Sequence, residues 1–256
     1  MAGITKDDVV VTRAGRSADR AGAGRGDDGA VGDDGAVGDD GGVGDDGAVG
    51  RVGPVAVLLH GRGSNRHDLA QLAPAFPDAW TLVTPEAPHP GKPWGYGPGS
   101  AWYRYVEEDR VVGETLVHSL EALDGLFEHL PEIVGGEPST VILGGFSQGG
   151  TMSLAYAFTR PGRVAAALNF SGFVVDDPAV LLDGHAVRET PLFWGHGTGD
   201  PAIPFPLAER GRETLRGLDA DLTTKDYAMG HTISPGELRD AVDWVSRRVG
   251  PSPRSR

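Results

Sequence analysis

The 256-residue chain contains no cysteine. That excludes disulfides, a thiol nucleophile and a zinc–thiolate centre. Lysine is nearly absent: Lys6, Lys92 and Lys225 stand against 20 arginines. No apolar run approaches the ~18 residues that a membrane-crossing helix needs. The spacing H-E-x-x-H is missing, so no metal site is expected. Around Lys6, Asp7, Asp8, Arg13 and Arg16 there is no continuous apolar core of the signal-peptide kind, and a cytoplasmic protein is the expectation. The formal net charge is −13, which makes nucleic acid and anionic membrane poor partners.

Glycine, by contrast, is abundant, at 40 residues. Part of it lies in a hexapeptide tract, Gly26-Asp-Asp-Gly-Ala-Val and its near copies through Gly50. The tract holds eight aspartates, and without them 28 acidic side chains face 23 basic ones. A regular valine every six residues is compatible with a β-helix turn, and Asp-Asp-Gly with a calcium loop. Four repeats dominated by glycine and aspartate are too few and too polar to bury a core, so disorder is the expectation. The tract, bounded at 14–52, reads as an expanded loop between two neighbouring strands of one domain spanning 1–256. Residues 250–256 read as a disordered tail.

Elsewhere short apolar runs alternate with helical patterns. Strands are expected at Val9–Thr12, Val55–Leu59, Trp80–Val83, Thr140–Gly144, Val164–Phe170, Pro191–Trp194 and Leu222–Ala228. The run Val55–Leu59 is apolar throughout, as a strand buried on both faces should be. Helices are expected over Asn65–Ala73, Glu114–Leu130 (ended by Pro131), Thr151–Thr159 and Leu207–Leu215, with at most a short one in 172–189. Ser234-Pro-Gly-Glu237 has the form of a capping box opening a last helix. This alternation implies an α/β fold: a mostly parallel central sheet with helices on both faces.

The strand at Thr140–Gly144 runs into Gly145-Phe146-Ser147-Gln148-Gly149. Strand, sharp turn and helix form the context of a G-x-S-x-G nucleophile elbow. In a glycine-rich chain the pentapeptide alone carries little weight, so partners matter. A serine hydroxyl needs a base to take its proton, and the base needs a carboxylate to fix its tautomer. In the elbow's fold those partners follow in the order Ser, Asp/Glu, His. Asp200 follows the strand Pro191–Trp194, and His231 follows Leu222–Ala228. Both therefore lie at carboxyl ends of parallel strands, where open α/β sheets carry their sites. Asp176 and Asp177 are the reserve acids. His118 and His129 read as helix-surface residues, His67, His89 and His185 as residues of loops or helix starts without a partner, and His60 and His196 as shapers of the site. An oxyanion would need two N–H donors: Gln148, just after the serine, and Arg62, with Gly63 second, from the loop after Val55–Leu59. The Arg62 side chain is also a candidate for meeting an acidic substrate. Trp94, Tyr96, Trp102, Tyr103 and Phe173 are candidate pocket walls.

Four segments, Leu58-Leu-His-Gly-Arg-Gly-Ser64, Gly144-Gly-Phe-Ser-Gln-Gly-Gly150, His196-Gly-Thr-Gly-Asp-Pro-Ala-Ile-Pro204 and Gly230-His-Thr-Ile-Ser234, together resemble the phospholipase/carboxylesterase family of α/β-hydrolases. The resemblance runs from about Val9 to Val249. It implies an α/β-hydrolase fold with minimal lid. It also implies nucleophile Ser147, acid Asp200, base His231 and oxyanion donors Arg62 and Gln148. The family's thioesterases tend to have leucine where Arg62 stands, and Trp102-Tyr-Arg104 departs from their Trp-Phe-Asp. The expectation is a serine carboxylesterase, monomeric or homodimeric, acting on a small ester without a cofactor. The alternatives are a thioesterase or lysophospholipase with the same triad, and an inactive hydrolase-like protein whose acidic repeat binds cations or a partner. The acidic, lysine-poor composition is compatible with a salt-loving source, in which case molar salt screens the excess charge. Stability and activity are then expected to rise from dilute buffer to molar salt, and full stability and activity in dilute buffer would contradict it.

Overall fold

The computed structural model of the chain describes residues 4–14 and 50–249. The hexapeptide tract and residues 250–256 lie outside them. The expected insertion 14–52 is nevertheless too wide. Ala14 is buried and its N–H donates to the Trp80 carbonyl at 3.0 Å. Arg51–Val52 pairs in parallel with Glu137–Pro138.

Seven strands form one sheet: β1 (Val9–Arg13), β2 (Val55–Leu59), β3 (Thr81–Pro85), β4 (Val141–Phe146), β5 (Ala167–Phe170), β6 (Leu192–Gly197) and β7 (Leu222–Tyr227). Their order across the sheet is β1-β3-β2-β4-β5-β6-β7. All pairings are parallel except that of β1 with β3, in which Val11 faces Val83. The sequence reading made β1 and β2 neighbours; β3 lies between them, because the antiparallel β1 closes the sheet edge.

Among the described residues there are six α-helices: α1 (Gly113–Glu128), α2 (Leu130–Val134), α3 (Gln148–Thr159), α4 (Gly184–Glu189), α5 (Phe205–Gly217) and α6 (Pro235–Val249). All five residues of β2 are buried, since alternate side chains enter two cores. Val55, Val57 and Leu59 join residues of α1, α3 and α5, whereas Ala56 and Leu58 join Leu69, Ala73 and the Ala241, Val242 and Val245 face of α6. Each such buried valine or leucine contributes ~1.5–3 kcal/mol relative to an exposed one. Among the described residues no helix is long and apolar enough to cross a membrane.

Two helices differ from the sequence reading. The segment expected as a helix from Asn65 has turns and then a 3-10 helix, Leu69–Ala75. The Asn65 side chain accepts the His67 N–H at 2.9 Å, a local bond that competes with a helical start, and Pro74 brings no N–H to a longer helix. Pro131, expected to follow the long helix as its stop, instead sits in the first turn of α2, where a missing N–H costs nothing.

The expected capping box at α6 is half made. Ser234 Oγ accepts the Glu237 N–H at 3.1 Å. The Glu237 carboxyl does not complete the return bond. It is fully buried over Gly195 of β6, where any Cβ would overlap it, and neither oxygen has a partner among the described residues. Burial pushes its pKa from 4.5 up to about 8, with the nearby Ser234 N–H offsetting part of the shift. Such an acid supports the fold while protonated: the contribution is complete below pH ~4.5 and is lost as pH rises through about 8. The melting temperature is therefore expected to fall between pH 5 and 9 by an extra ~5 °C or more that Glu237→Gln removes. Parallel thermal melts of the two proteins would check this, and equal pH slopes would contradict it.

Candidate active site

The turn between β4 and α3 places Ser147 at φ 55° and ψ −116°. A non-glycine residue adopts positive φ only when its surroundings compel it. Here the compulsion is packing. A Cβ at Gly149 would overlap the Leu59 carbonyl, and one at Gly145 would overlap the backbone of Gly149. With both absent, α3 starts directly against the ends of β2 and β4. The Ser147 N–H donates to the Phe170 carbonyl at 2.8 Å, which fixes the turn to β5.

Asp200 and His231 come from the ends of β6 and β7. The Asp200 side chain is wholly buried. Its Oδ1 accepts the N–H groups of Ala202 and Ile203 at 2.8 and 2.9 Å. Its Oδ2 lies 2.7 Å from His231 Nδ1. On the other side of the ring, His231 Nε2 is 2.8 Å from Ser147 Oγ. This network assigns the tautomer: Nδ1–H donates to the carboxylate, and bare Nε2 accepts the hydroxyl proton. The Phe146 ring packs on the imidazole at 4.7 Å between centroids. Thus three residues distant in sequence converge on one hydrogen-bonded line. The reserve acids do not join it: the Asp177 carboxylate accepts the Ala179 N–H and lies beside Gly113, and the Asp176 N–H bonds to the Asp109 carbonyl.

His60 and His196 shape the surroundings, as expected. His60 Nε2 accepts the Ala87 N–H at 3.2 Å, and its carbonyl accepts the Trp102 indole N–H. His196 Nε2 lies 2.9 Å from the Ile203 carbonyl and 3.7 Å from Asp200 Oδ2. Burial lowers the pKa of both rings, which favours their neutral forms. His118 and His89 correct the sequence reading. His118 is half-buried, and its Nδ1 is 3.3 Å from His89 Nε2, which also lies 3.0 Å from the Thr115 carbonyl. The helix turn at Thr115–His118 brings the two together, a juxtaposition no local pattern signals.

The backbone N–H groups of Arg62 and Gln148 have no protein acceptor among the described residues, and both residues line the cleft beside Ser147. Gly63 is not a second choice, because its N–H donates to the Ser100 carbonyl at 2.8 Å. Gln148 also opens α3, so the helix dipole adds to its N–H.

The cleft has a volume of about 310 Å³. Of the expected aromatic walls, Tyr103 and Phe173 line it; Trp94, Tyr96 and Trp102 do not. Trp102 is buried beneath His60 as core. Trp94 packs at a tilt against His89, and Tyr96 accepts the Tyr105 N–H through its hydroxyl. The remaining wall comes from Phe146 and Ile203, which lie within the motif segments but were not singled out, and from Tyr105 and Leu207, which no motif marks. Tyr105 and Glu108 belong to a hairpin, Tyr105–Glu107 with Arg110–Val111, whose tip pairs with Arg210 of α5.

The Gln148 side chain was also missed. Its Oε1 accepts the Trp102 N–H at 2.8 Å and its Nε2 donates to the Tyr103 carbonyl at 2.6 Å, all buried. It therefore fastens the pocket loop to the start of α3. Gln148→Ala leaves those two backbone groups buried and unpaired, at ~1–3 kcal/mol each. Its melting temperature is expected to fall by roughly 4–24 °C in a thermal melt; an unchanged value would show that the clamp bears no load.

Comparison with known proteins relates the sequence to a family. The sequence profile of a family described as Phospholipase/Carboxylesterase matches residues 49–248. An acyl-protein thioesterase 1 of Gibberella zeae is 32% identical over 118 residues, covering 44% of this chain and 50% of that protein, so the alignment spans half of the relative's length. The carboxylesterase SOBER1 of Arabidopsis thaliana is 27% identical over 155 residues, covering 58% of this chain and 68% of that one. Among solved structures, the esterase PE8 superposes with a TM-score of 0.65 at 30% identity, covering 78% of this chain and 95% of that one.

Proposed function

The chain belongs to the phospholipase/carboxylesterase family of α/β-hydrolases, and from that premise we propose that it is a serine carboxylesterase working through Ser147, His231 and Asp200. The observation that carries the reading is the unbroken chain of hydrogen bonds from Asp200 through His231 to Ser147, at 2.7 and 2.8 Å.

Ser147 Oγ attacks the ester carbonyl while His231 Nε2 takes the hydroxyl proton. Asp200, held by two backbone N–H groups, stabilises the imidazolium without taking the proton itself. The oxygen of the tetrahedral intermediate is received by the N–H groups of Arg62 and Gln148, residues that line the cleft and whose N–H groups have no other acceptor among the described residues. His231 then protonates the leaving alcohol. Water, activated by the same imidazole, frees the acid from Ser147 and restores the hydroxyl.

The aromatic and aliphatic wall suits a small acyl group, and the volume of about 310 Å³ favours a short one. The second reading is acyl-thioester hydrolysis by the same residues, favoured by the name of the Gibberella zeae relative. Turnover of matched oxygen esters and thioesters, graded by acyl length, separates the two. Ser147→Ala is expected to lower kcat for a p-nitrophenyl ester by ~10⁶-fold and Asp200→Asn by ~10⁴-fold, both with native melting curves. Wild-type turnover retained in Ser147→Ala would remove the serine from the mechanism.

A further inference from the structure

The cleft contains a cation that the hydrolytic scheme does not use. Arg62 offers its backbone N–H to the oxyanion in the reading above, but its side chain is exposed in the same cleft. The guanidinium carbon lies 4.8 Å from the centroid of the Tyr96 ring and 5.9 Å from that of Tyr105. Both rings act as faces for a planar cation, which holds the group by its surface and leaves its N–H edge unspent. Among the described residues no carboxylate lies within ion-pair distance of it.

The acids of the cleft are engaged elsewhere. Asp68 Oδ2 accepts the Ser64 hydroxyl at 2.8 Å, and Glu108 is 3.3 Å from Arg210. A guanidinium positioned on aromatic faces and lacking an acid is a fork for a planar anion. Because the same residue presents its N–H to the reacting carbonyl, the anion it receives must be part of the substrate, within a side chain's length of the scissile bond.

We propose that Arg62 determines specificity by binding a carboxylate carried on the substrate, so that half-esters of short dicarboxylic acids are preferred over neutral esters of equal length. The proposal rests on the esterase reading for its reaction but not for its binding. A charge-assisted, two-pronged hydrogen bond is expected to give a preference of about 10- to 100-fold.

The test uses mono-p-nitrophenyl glutarate against p-nitrophenyl pentanoate. In the wild type the ratio of kcat/KM, anionic over neutral, is expected to exceed 10 and to shrink as salt is raised. Arg62→Leu should bring the ratio to 1 or below, and Arg62→Lys should keep part of it as a point charge. Any general loss from disturbing the loop affects both substrates and cancels in the ratio. Independently, binding of monomethyl glutarate and methyl pentanoate is read by calorimetry on Ser147→Ala, which needs no turnover. If no ester is hydrolysed but the half-ester still binds more tightly through Arg62, the esterase reading fails and this inference stands. A wild-type ratio near 1 together with equal binding of the two ligands, or a preference unchanged in Arg62→Leu, overturns it.

Discussion

The arrangement depends on one tight turn. Ser147 can hold its positive φ only because two glycines, Gly145 and Gly149, let the start of α3 press against the ends of β2 and β4. Backbone strain of this type costs of order 1–3 kcal/mol and persists only where packing over-determines it. The packing is ample. α3 is buried along nearly its whole length, and β2, β4 and β5 hold its start from below. The strain is thus borne by the sheet, and its result is a hydroxyl lifted clear of the backbone at the floor of a cleft.

The electrostatics follow from the same placement. Parallel strands bring the turns after β4, β6 and β7 to one edge, so serine, carboxylate and imidazole meet without a long loop having to reach across. Asp200 is buried yet accepts three donors, two from backbone and one from His231, which satisfies the carboxylate away from water. The two other buried rings nearby, His60 and His196, are held towards neutrality by burial, so they orient the loops without adding charge that would compete with His231. Beside the serine, the N–H groups of Arg62 and Gln148 have no acceptor among the described residues, as the proposed oxyanion role requires.

What the sequence made legible was the part governed by local rules. Apolar runs marked the inner strands β2 to β6, because strands covered on both faces need them, whereas the edge strands β1 and β7 are only partly buried. Gly145 and Gly149 were readable because the sharp turn admits no larger residue, and Asp200 and His231 because they follow strands in the order Ser, Asp, His. What escaped reading depends on contacts between distant segments. The neighbours of β1 are set by which edge it closes, and the meeting of His89 with His118 by the phase of α1. Glu237 looked like half of a capping box; the close approach of α6 to Gly195, which diverts its carboxyl, has no signature in either segment alone. The pocket walls illustrate the same limit. Aromatic residues in one loop were obvious candidates, but the fold turned Trp102 into core and Trp94 toward His89, and recruited Tyr105, Ile203 and Leu207 from elements chosen by tertiary packing.

The central claim is that the hydroxyl at this turn is chemically activated by the imidazole beside it. The most direct measurement is covalent capture with a fluorophosphonate, in which the hydroxyl oxygen displaces fluoride at phosphorus, followed by mass analysis of the intact protein and its peptides. The account predicts one phosphonyl group per chain, on Ser147, with labelling lost in His231→Ala and in denatured protein. No labelling of the folded protein, or labelling that spares Ser147 or survives the loss of His231, would contradict it.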